Sequence, residues 1–247
     1  QAPCFKWKNK KHPMRNANTP CTSCLLLPAL LLLLLAACEP EAPADPPLFR
    51  QVAPATSGVD FVNRIEETAN FNILVDEFMY NGGGVGLGDF NGDGRRDLYF
   101  AGNTERNRLY LNRGDFRFED VTAASGTAAA DVWSSGITTL DFDNDGRLDI
   151  YVSATHDADP ERRRNKLFLN RGAGADGIPR FAEEAATYGL ADTGYTTQTV
   201  FFDYDRDGDL DLYLLHDIYI LQRSSTIKNK VTDGSSPTTD KLLRNNG

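Results

Sequence analysis

Short apolar stretches and Asp-rich turns alternate along this chain in an order that recurs. Val85 to Gly88, Ile137 to Leu140 and Thr199 to Phe202 each precede a nine-residue loop with acidic or amide side chains at alternating positions. After each loop runs a piece rich in aromatic and branched residues: Asp97-Leu-Tyr-Phe100, Asp149-Ile-Tyr-Val152 and Asp211-Leu-Tyr-Leu214. Such composition predicts strands. A third echo is Asn107-Arg-Leu-Tyr-Leu-Asn-Arg-Gly114, Asn165-Lys-Leu-Phe-Leu-Asn-Arg-Gly172 and Asp240-Lys-Leu-Leu-Arg-Asn-Asn-Gly247, which alternates as a half-buried strand. Asn112 to Asp115 reads as a hairpin turn, with Gly114 supplying the positive φ. Phe116 to Val121 then predicts a fourth strand, echoed at Phe181 to Gly189. The loops start at Asp89, Asp141 and Asp203, which lie 52 and 62 residues apart. Four antiparallel strands at that period predict an all-β fold, a β-propeller of four-stranded blades with about three blades present. No amphipathic helix recurs, which excludes helical repeats. Phe49 to Gly58 repeats the fourth-strand pattern ahead of the first loop, so the chain is expected to begin on an outer strand of a last blade.

A different pattern marks the first forty residues. Leu25 to Ala37 is apolar apart from Pro28, thirteen residues where a spanning helix needs about 20. Lys6, Lys8, Lys10, Lys11 and Arg15 precede it and small residues close it, the architecture of a signal peptide. Leu35-Ala-Ala-Cys38 resembles a bacterial lipobox, which implies lipidation at Cys38. Cys21-x-x-Cys24 lies inside the leader, where zinc or redox chemistry is not expected. Met14 is a plausible true start. Glu39 to Pro47 is acidic and proline-rich, an extended tether. The expected organisation is a leader over 1–38, a tether over 39–48 and blades over 49–247, on a lipoprotein of the cell envelope or outer membrane.

Charge sharpens the picture. The formal net charge is −9, but five of the 26 basic residues sit in the leader, leaving 21 against 35 acidic residues, a net −14, in the rest. A body this acidic repels phosphate, so nucleic acid is not an expected partner. All four cysteines fall within the first 38 residues, so the body holds neither a disulfide framework nor a thiolate metal site.

Twelve of those acidic residues lie in the three loops, eleven of them at positions 1, 3, 5 and 9. Asp89, Asn91, Asp93 and Asp97 occupy positions 1, 3, 5 and 9 of the first loop; Asp141, Asp143, Asp145 and Asp149 do so in the second; Asp203, Asp205, Asp207 and Asp211 do so in the third. Position 7 (Arg95, Arg147, Asp209) offers a backbone carbonyl, and the glycine at position 6 (Gly94, Gly146, Gly208) permits a sharp turn. Hard oxygens at this spacing follow the first part of the EF-hand ligand logic and favour Ca²⁺ over Zn²⁺ or Mg²⁺. Position 12 is Phe100, Val152 or Leu214, and the flanks read as strands, so these are not EF-hands. Asn91 gives the first loop one charge fewer and weaker expected binding.

The Asp-x-Asp/Asn-x-Asp-Gly-x-x-Asp-Leu/Ile-Tyr pattern resembles the FG-GAP/VCBS repeat of integrin α-chain propellers and bacterial surface proteins. Tyr80-Asn-Gly-Gly-Gly-Val-Gly-Leu-Gly-Asp-Phe90 and the Asn-x-Leu-Tyr/Phe-Leu strand are similar to VCBS-repeat lipoproteins related to cartilage acidic protein, which often carry an ASPIC/UnbV domain. The resemblance implies a seven-bladed ring with Ca²⁺ in each Asp loop, of which this chain is an N-terminal fragment. The third unit departs from it at Asp240, Leu243 and Arg244. Among the remaining motifs, Arg113-Gly-Asp115 reads as a turn and His156 and His216 as solvated loop histidines. No catalytic constellation stands out. The expected function is a calcium-binding scaffold on the bacterial surface for glycan or protein ligands; the alternative is a glycan-processing hydrolase or lyase using the propeller rim.

Overall fold

The computed structural model describes residues 47–74, 78–217, 231 and 233–247. The leader, Cys38 and most of the tether lie outside the described residues. The chain divides into two compact units, 1–50 and 51–247, and the β structure belongs to the second. Among the described residues no helix is long and apolar enough to cross a membrane.

The second unit opens with a single helical turn, α1 (Pro54–Ser57), closed by Gly58 at φ 77°. The first sheet follows, in the order β1 (Val85–Gly88), β2 (Asp97–Phe100), β3 (Arg108–Asn112) and β4 (Phe118–Asp120). A second helical turn, α2 (Thr122–Ser125), leads to β5 (Ser134–Leu140), β6 (Asp149–Ala154), β7 (Lys166–Ala173) and β8 (Pro179–Glu183), again paired in sequence order. The last described sheet comprises β9 (Thr196–Phe202), β10 (Asp211–His216) and β11 (Lys241–Leu243). Every pairing is antiparallel. The protein is therefore all-β, built of consecutive meandering sheets, as its repeats predict.

The sheets stack face to face. Tyr99, Leu109 and Leu111 of the first pack with Ile150, Val152, Ala154 and Phe168 of the second. On the other face of the second sheet, Tyr151, Leu167 and Leu169 meet Leu212 and Leu214 of the third. All six residues of β6 are buried, because alternate side chains enter different interfaces. This corrects the half-buried reading of the Leu-Tyr/Phe-Leu strand: Leu109, Tyr110 and Leu111 of β3, and their equivalents in β7, are buried on both faces. Tyr213, at the position of Tyr99 and Tyr151, is 37% exposed on the outer face of the third sheet.

The inner strands of neighbouring sheets touch without forming a ladder. Thr138 Oγ1 donates to the Thr199 carbonyl (2.9 Å), Ser135 Oγ to that of Thr196 (2.7 Å) and Thr139 Oγ1 to that of Leu87 (3.1 Å). Gly136 makes the approach possible, since a Cβ there would stand 2.6 Å from the Thr197 carbonyl oxygen. Strands β5 and β9 begin three residues before the apolar stretches Ile137–Leu140 and Thr199–Phe202, and in these leading segments Ser135 donates across to β9 while Thr196 Oγ1 accepts from Asn165, just before β7 of the second sheet.

The expected strand at Phe49–Gly58 is not formed; the segment contains α1 instead. The sequence echo nonetheless has a structural counterpart. Gly58 lies against the Phe118 carbonyl of β4, as Gly126, which closes α2, approaches the Phe181 carbonyl of β8.

Candidate metal sites

Each Asp loop joins an inner strand to its neighbour, so all three lie at the same end of their sheets. Two residues per loop take left-handed backbone conformations. At position 4 these are Gly92, Asn144 and Arg206 (φ 76°, 57° and 64°); at position 6 they are Gly94, Gly146 and Gly208 (φ 85°, 84° and 98°). The resulting curl turns backbone N–H groups inward onto the first aspartate. Asp89 Oδ1 accepts from Gly92 N (2.8 Å) and Asp93 N (3.0 Å), and its Oδ2 from Gly94 N (2.7 Å). Asp141 accepts from Asp145 N (3.0 Å) and Gly146 N (2.9 Å), and Asp203 from Gly208 N (3.3 Å).

Position 9 is set at the start of the second strand and buried. Both oxygens of Asp97 accept backbone N–H groups, from Phe90 (2.9 Å) and Asn112 (2.8 Å). Asp149 holds Phe142 N (2.8 Å) and Asn170 N (2.7 Å), and Asp211 holds Tyr204 N and Asn245 N (both 2.8 Å). This aspartate therefore latches the start of the loop, at position 2, to the third strand of its own sheet or the residues just after it. Its role as a latch escaped the sequence reading, which saw only a ligand.

In the second and third loops the carboxylates converge. Oxygens of Asp141, Asp143 and Asp149 lie within 4.8 Å of one another, as do those of Asp203, Asp205 and Asp211. Asp145 and Asp207 stand outside these groups. The Oδ1 of each accepts the position-7 N–H, from Arg147 (2.9 Å) and Asp209 (3.1 Å). Asp145 also pairs with the Arg147 guanidinium, and Arg244 pairs with Asp205 (2.7 Å) and Asp207 (3.6 Å). In the first loop Asn91 replaces the position-3 carboxylate, its amide donating to Asp93 (3.3 Å) and to the Gly177 carbonyl (3.3 Å), while Asp93 pairs with Arg95 (3.1 Å). The arginines at position 7 were thus missed as counter-ions; their recurrence in two loops was the available signal.

Crowded carboxylates leave an electrostatic mark. Burial, reinforced by the charges of Asp93 and Asp89, pushes the Asp97 carboxyl up to about 6 against the pull of its two N–H donors. Burial does the same to Asp149, pushed up to about 6 with Asp143 and Asp145 contributing. A cation in reach of these oxygens offsets that repulsion. The donor set, all hard oxygen, suits Ca²⁺.

Residues 89–152 match the family model described as FG-GAP-like repeat. That match spans the first two Asp loops and the strands between them. The chain is also 34% identical to human cartilage acidic protein 1 over 147 residues, which is 58% of this chain and 21% of that protein. It is 33% identical to the mouse protein over the same length, and 30% identical to that of Xenopus tropicalis over 161 residues, or 63% of this chain and 24% of that protein. It spans between a fifth and a quarter of the length of these curated relatives. The repeat and the stacked sheets together describe a β-propeller-like scaffold.

The remaining residues singled out by sequence settle as follows. Arg113-Gly-Asp115 forms the expected turn, with Gly114 at φ 87° and Arg113 paired to Glu119 (2.7 Å). The two histidines are not solvated, which corrects that expectation. His156 and His216 are 6% and 8% exposed. His216 Nε2 meets Asp192 (3.0 Å), which also pairs with Lys241. Burial opposes ionisation of Asp192, but the contacts from His216, Lys241 and Gly194 N–H outweigh it and hold the carboxyl below its usual range.

Proposed function

We propose that this protein is a calcium-binding β-propeller scaffold, displayed on the bacterial surface through a lipid on Cys38, that binds extracellular glycan or protein ligands. The observation that carries the calcium reading is the convergence of Asp141, Asp143 and Asp149, and of Asp203, Asp205 and Asp211, with oxygens within 4.8 Å in equivalent loops. The position-1 and position-9 aspartates are pre-set by backbone N–H donors, so an ion meets oriented oxygens rather than freely rotating ones. In each loop the ligand set would be positions 1, 3, 5 and 9 with the position-7 carbonyl, which for the first loop means Asp89, Asn91, Asp93, Arg95 and Asp97. Bound there, Ca²⁺ neutralises the loop and stiffens one end of the stack. We read the scaffold as a binding module rather than an enzyme, because the acidic pairs are engaged within their loops.

Titration calorimetry with Ca²⁺ and thermal unfolding in Ca²⁺ and in EDTA test this. Saturable binding in the range of extracellular modules, about 10⁻⁴ to 10⁻³ M, is expected, with a higher melting temperature in Ca²⁺. If Ca²⁺ neither titrates nor shifts melting, the metal reading is wrong. Labelling with radioactive palmitate, lost in Cys38→Ser, tests the anchor.

A further inference from the structure

A hollow lies at the other end of the sheets. Its walls come from residues just before β1, β5 and β9 and just after β6 and β10, opposite the Asp loops. The cavity measures about 290 Å³, just below the usual range for ligand pockets (about 300–1,000 Å³). We propose that it binds a single neutral pyranose ring, a saccharide subsite on the end of the stack away from the metal loops. This deepens the binding-scaffold reading and rests on it.

Three observations support a built site. First, the aromatic walls are fixed in place. The Trp133 and His156 rings lie 4.2 Å apart at 31°, and Phe71 sets its edge against both at 5.7 and 6.0 Å. Second, His156 sits at φ 74°, in the left-handed region that few residues other than glycine adopt. Third, the loop after His156 is fastened from behind. Arg163 Nη1 donates to the carbonyls of Asp157 (2.8 Å) and Ala158 (2.9 Å), its Nε donates to that of Thr193 (2.5 Å), and its guanidinium lies 4.4 Å above the Tyr195 ring.

The lining chemistry selects the ligand. Among the described residues no Lys or Arg lines the cavity, so the described lining offers no counter-charge to a phosphate, sulfate or uronate. Tyr195 already carries the Arg163 guanidinium, so a second cation against that ring would meet like charge. A neutral ligand remains. The ring of Trp133 suits the C–H face of a sugar, while Asn81 and Thr155 supply an amide and a hydroxyl that hydrogen-bond its hydroxyls. Gly82 adds bare backbone to the wall, since a Cβ there would meet nothing within 4 Å, whereas Gly83 and Gly84 have no side chain because the Ala101 carbonyl and the Ile137 N–H stand too close.

The test uses Trp133 as reporter. The chain has two tryptophans, Trp7 and Trp133, so the full chain bearing Trp7→Phe isolates the signal. It is titrated, in Ca²⁺, with methyl glycosides of glucose, galactose, mannose and N-acetylglucosamine, and separately with methylguanidinium and inorganic phosphate. The expected result is a saturable change in Trp133 emission with at least one glycoside, and with neither ion. Thr155→Val and the exposed-site variant Asn81→Ala should each weaken that glycoside by about tenfold at unchanged melting temperature. The proposal is overturned if no glycoside saturates, if an ion binds in its place, or if both folded variants bind as the parent does. Ca²⁺ titration of the same sample separates the two readings: a metal response without a glycoside response refutes the pocket alone.

Discussion

Replacing Asp149 with Ala separates the structural role of the position-9 carboxylate from any role in holding metal. Asp149 is 1% exposed, and its oxygens accept backbone N–H groups from Phe142 at 2.8 Å and Asn170 at 2.7 Å. Truncation orphans both donors in a site with no room for bulk water. An unsatisfied buried donor costs about 1–3 kcal/mol, so the pair costs about 2–6 kcal/mol. Removing the carboxylate also returns something at neutral pH, because burial and the neighbouring charges of Asp143 and Asp145 push its pKa up to about 6. One pKa unit is about 1.4 kcal/mol, and solvent screening along the loop reduces the return to about 1–2 kcal/mol. In EDTA the net loss is therefore about 0–5 kcal/mol at pH 7 and about 2–6 kcal/mol at pH 5, where the native carboxyl is protonated and its charge penalty is absent. Urea unfolding followed by tryptophan emission at both pH values measures this. Asp141→Ala supplies the contrast: its donors lie in an exposed loop where water replaces the lost acceptor, so in EDTA it loses less than about 1 kcal/mol, yet it abolishes stabilisation by Ca²⁺. A loss below about 1 kcal/mol for Asp149→Ala at both pH values, or a greater loss at pH 7 than at pH 5, would refute the latch.

Three further outcomes follow from the same geometry. The folded-state pKa values of Asp97 and Asp149 are both about 6, above the unfolded value near 4; in EDTA these groups therefore make the protein more stable as pH falls from above 6 to about 4, and saturating Ca²⁺ reverses the trend because protons then compete with the ion. Melting curves from pH 4.5 to 7.5 read both signs. Arg206 holds φ 64° at the loop position where the first loop has Gly92; Arg206→Gly in saturating Ca²⁺ should gain about 0.5–1 kcal/mol, the left-handed penalty less the added backbone entropy, visible as a rise of a few degrees in Tm by calorimetry. Gly136→Ala places a methyl 2.6 Å from the Thr197 carbonyl oxygen, so it should destabilise by about 1–3 kcal/mol by forcing the second and third sheets apart, as urea unfolding will report.

The order of strands and loops was legible because it is local. Period-2 runs, an Asp or Asn at positions 1, 3, 5 and 9 of each loop and a glycine at each turn are all written within a dozen residues, and each sheet follows them. What was not legible arises between repeats. Tyr110 and Phe168 read as one exposed side of an alternating strand, yet both are buried. His156 and His216 looked like loop residues for the same reason: their burial comes from Trp133 and Phe71 in one case and from Asp192 in the other, all distant in sequence. The loops divide along the same line. The spacing of Asp141, Asp143 and Asp149 foretold their convergence, but the N–H of Asn170, which closes the latch, arrives from a strand twenty-one residues away.

The burial of β6 on both faces reaches beyond packing. Neighbouring sheets share side-chain contacts and a few hydroxyl links rather than a backbone ladder, so their coupling is a nearest-neighbour quantity. Opening then has a direction. The third sheet, with one covered face among the described residues, should fray at low cost, while β6 exchanges its amide hydrogens only when two interfaces separate together. A lesion at Ile150 or Tyr151 is felt by one neighbour, but a kink in the β6 backbone is felt by both, which makes this strand the point where three semi-independent sheets become one cooperative body.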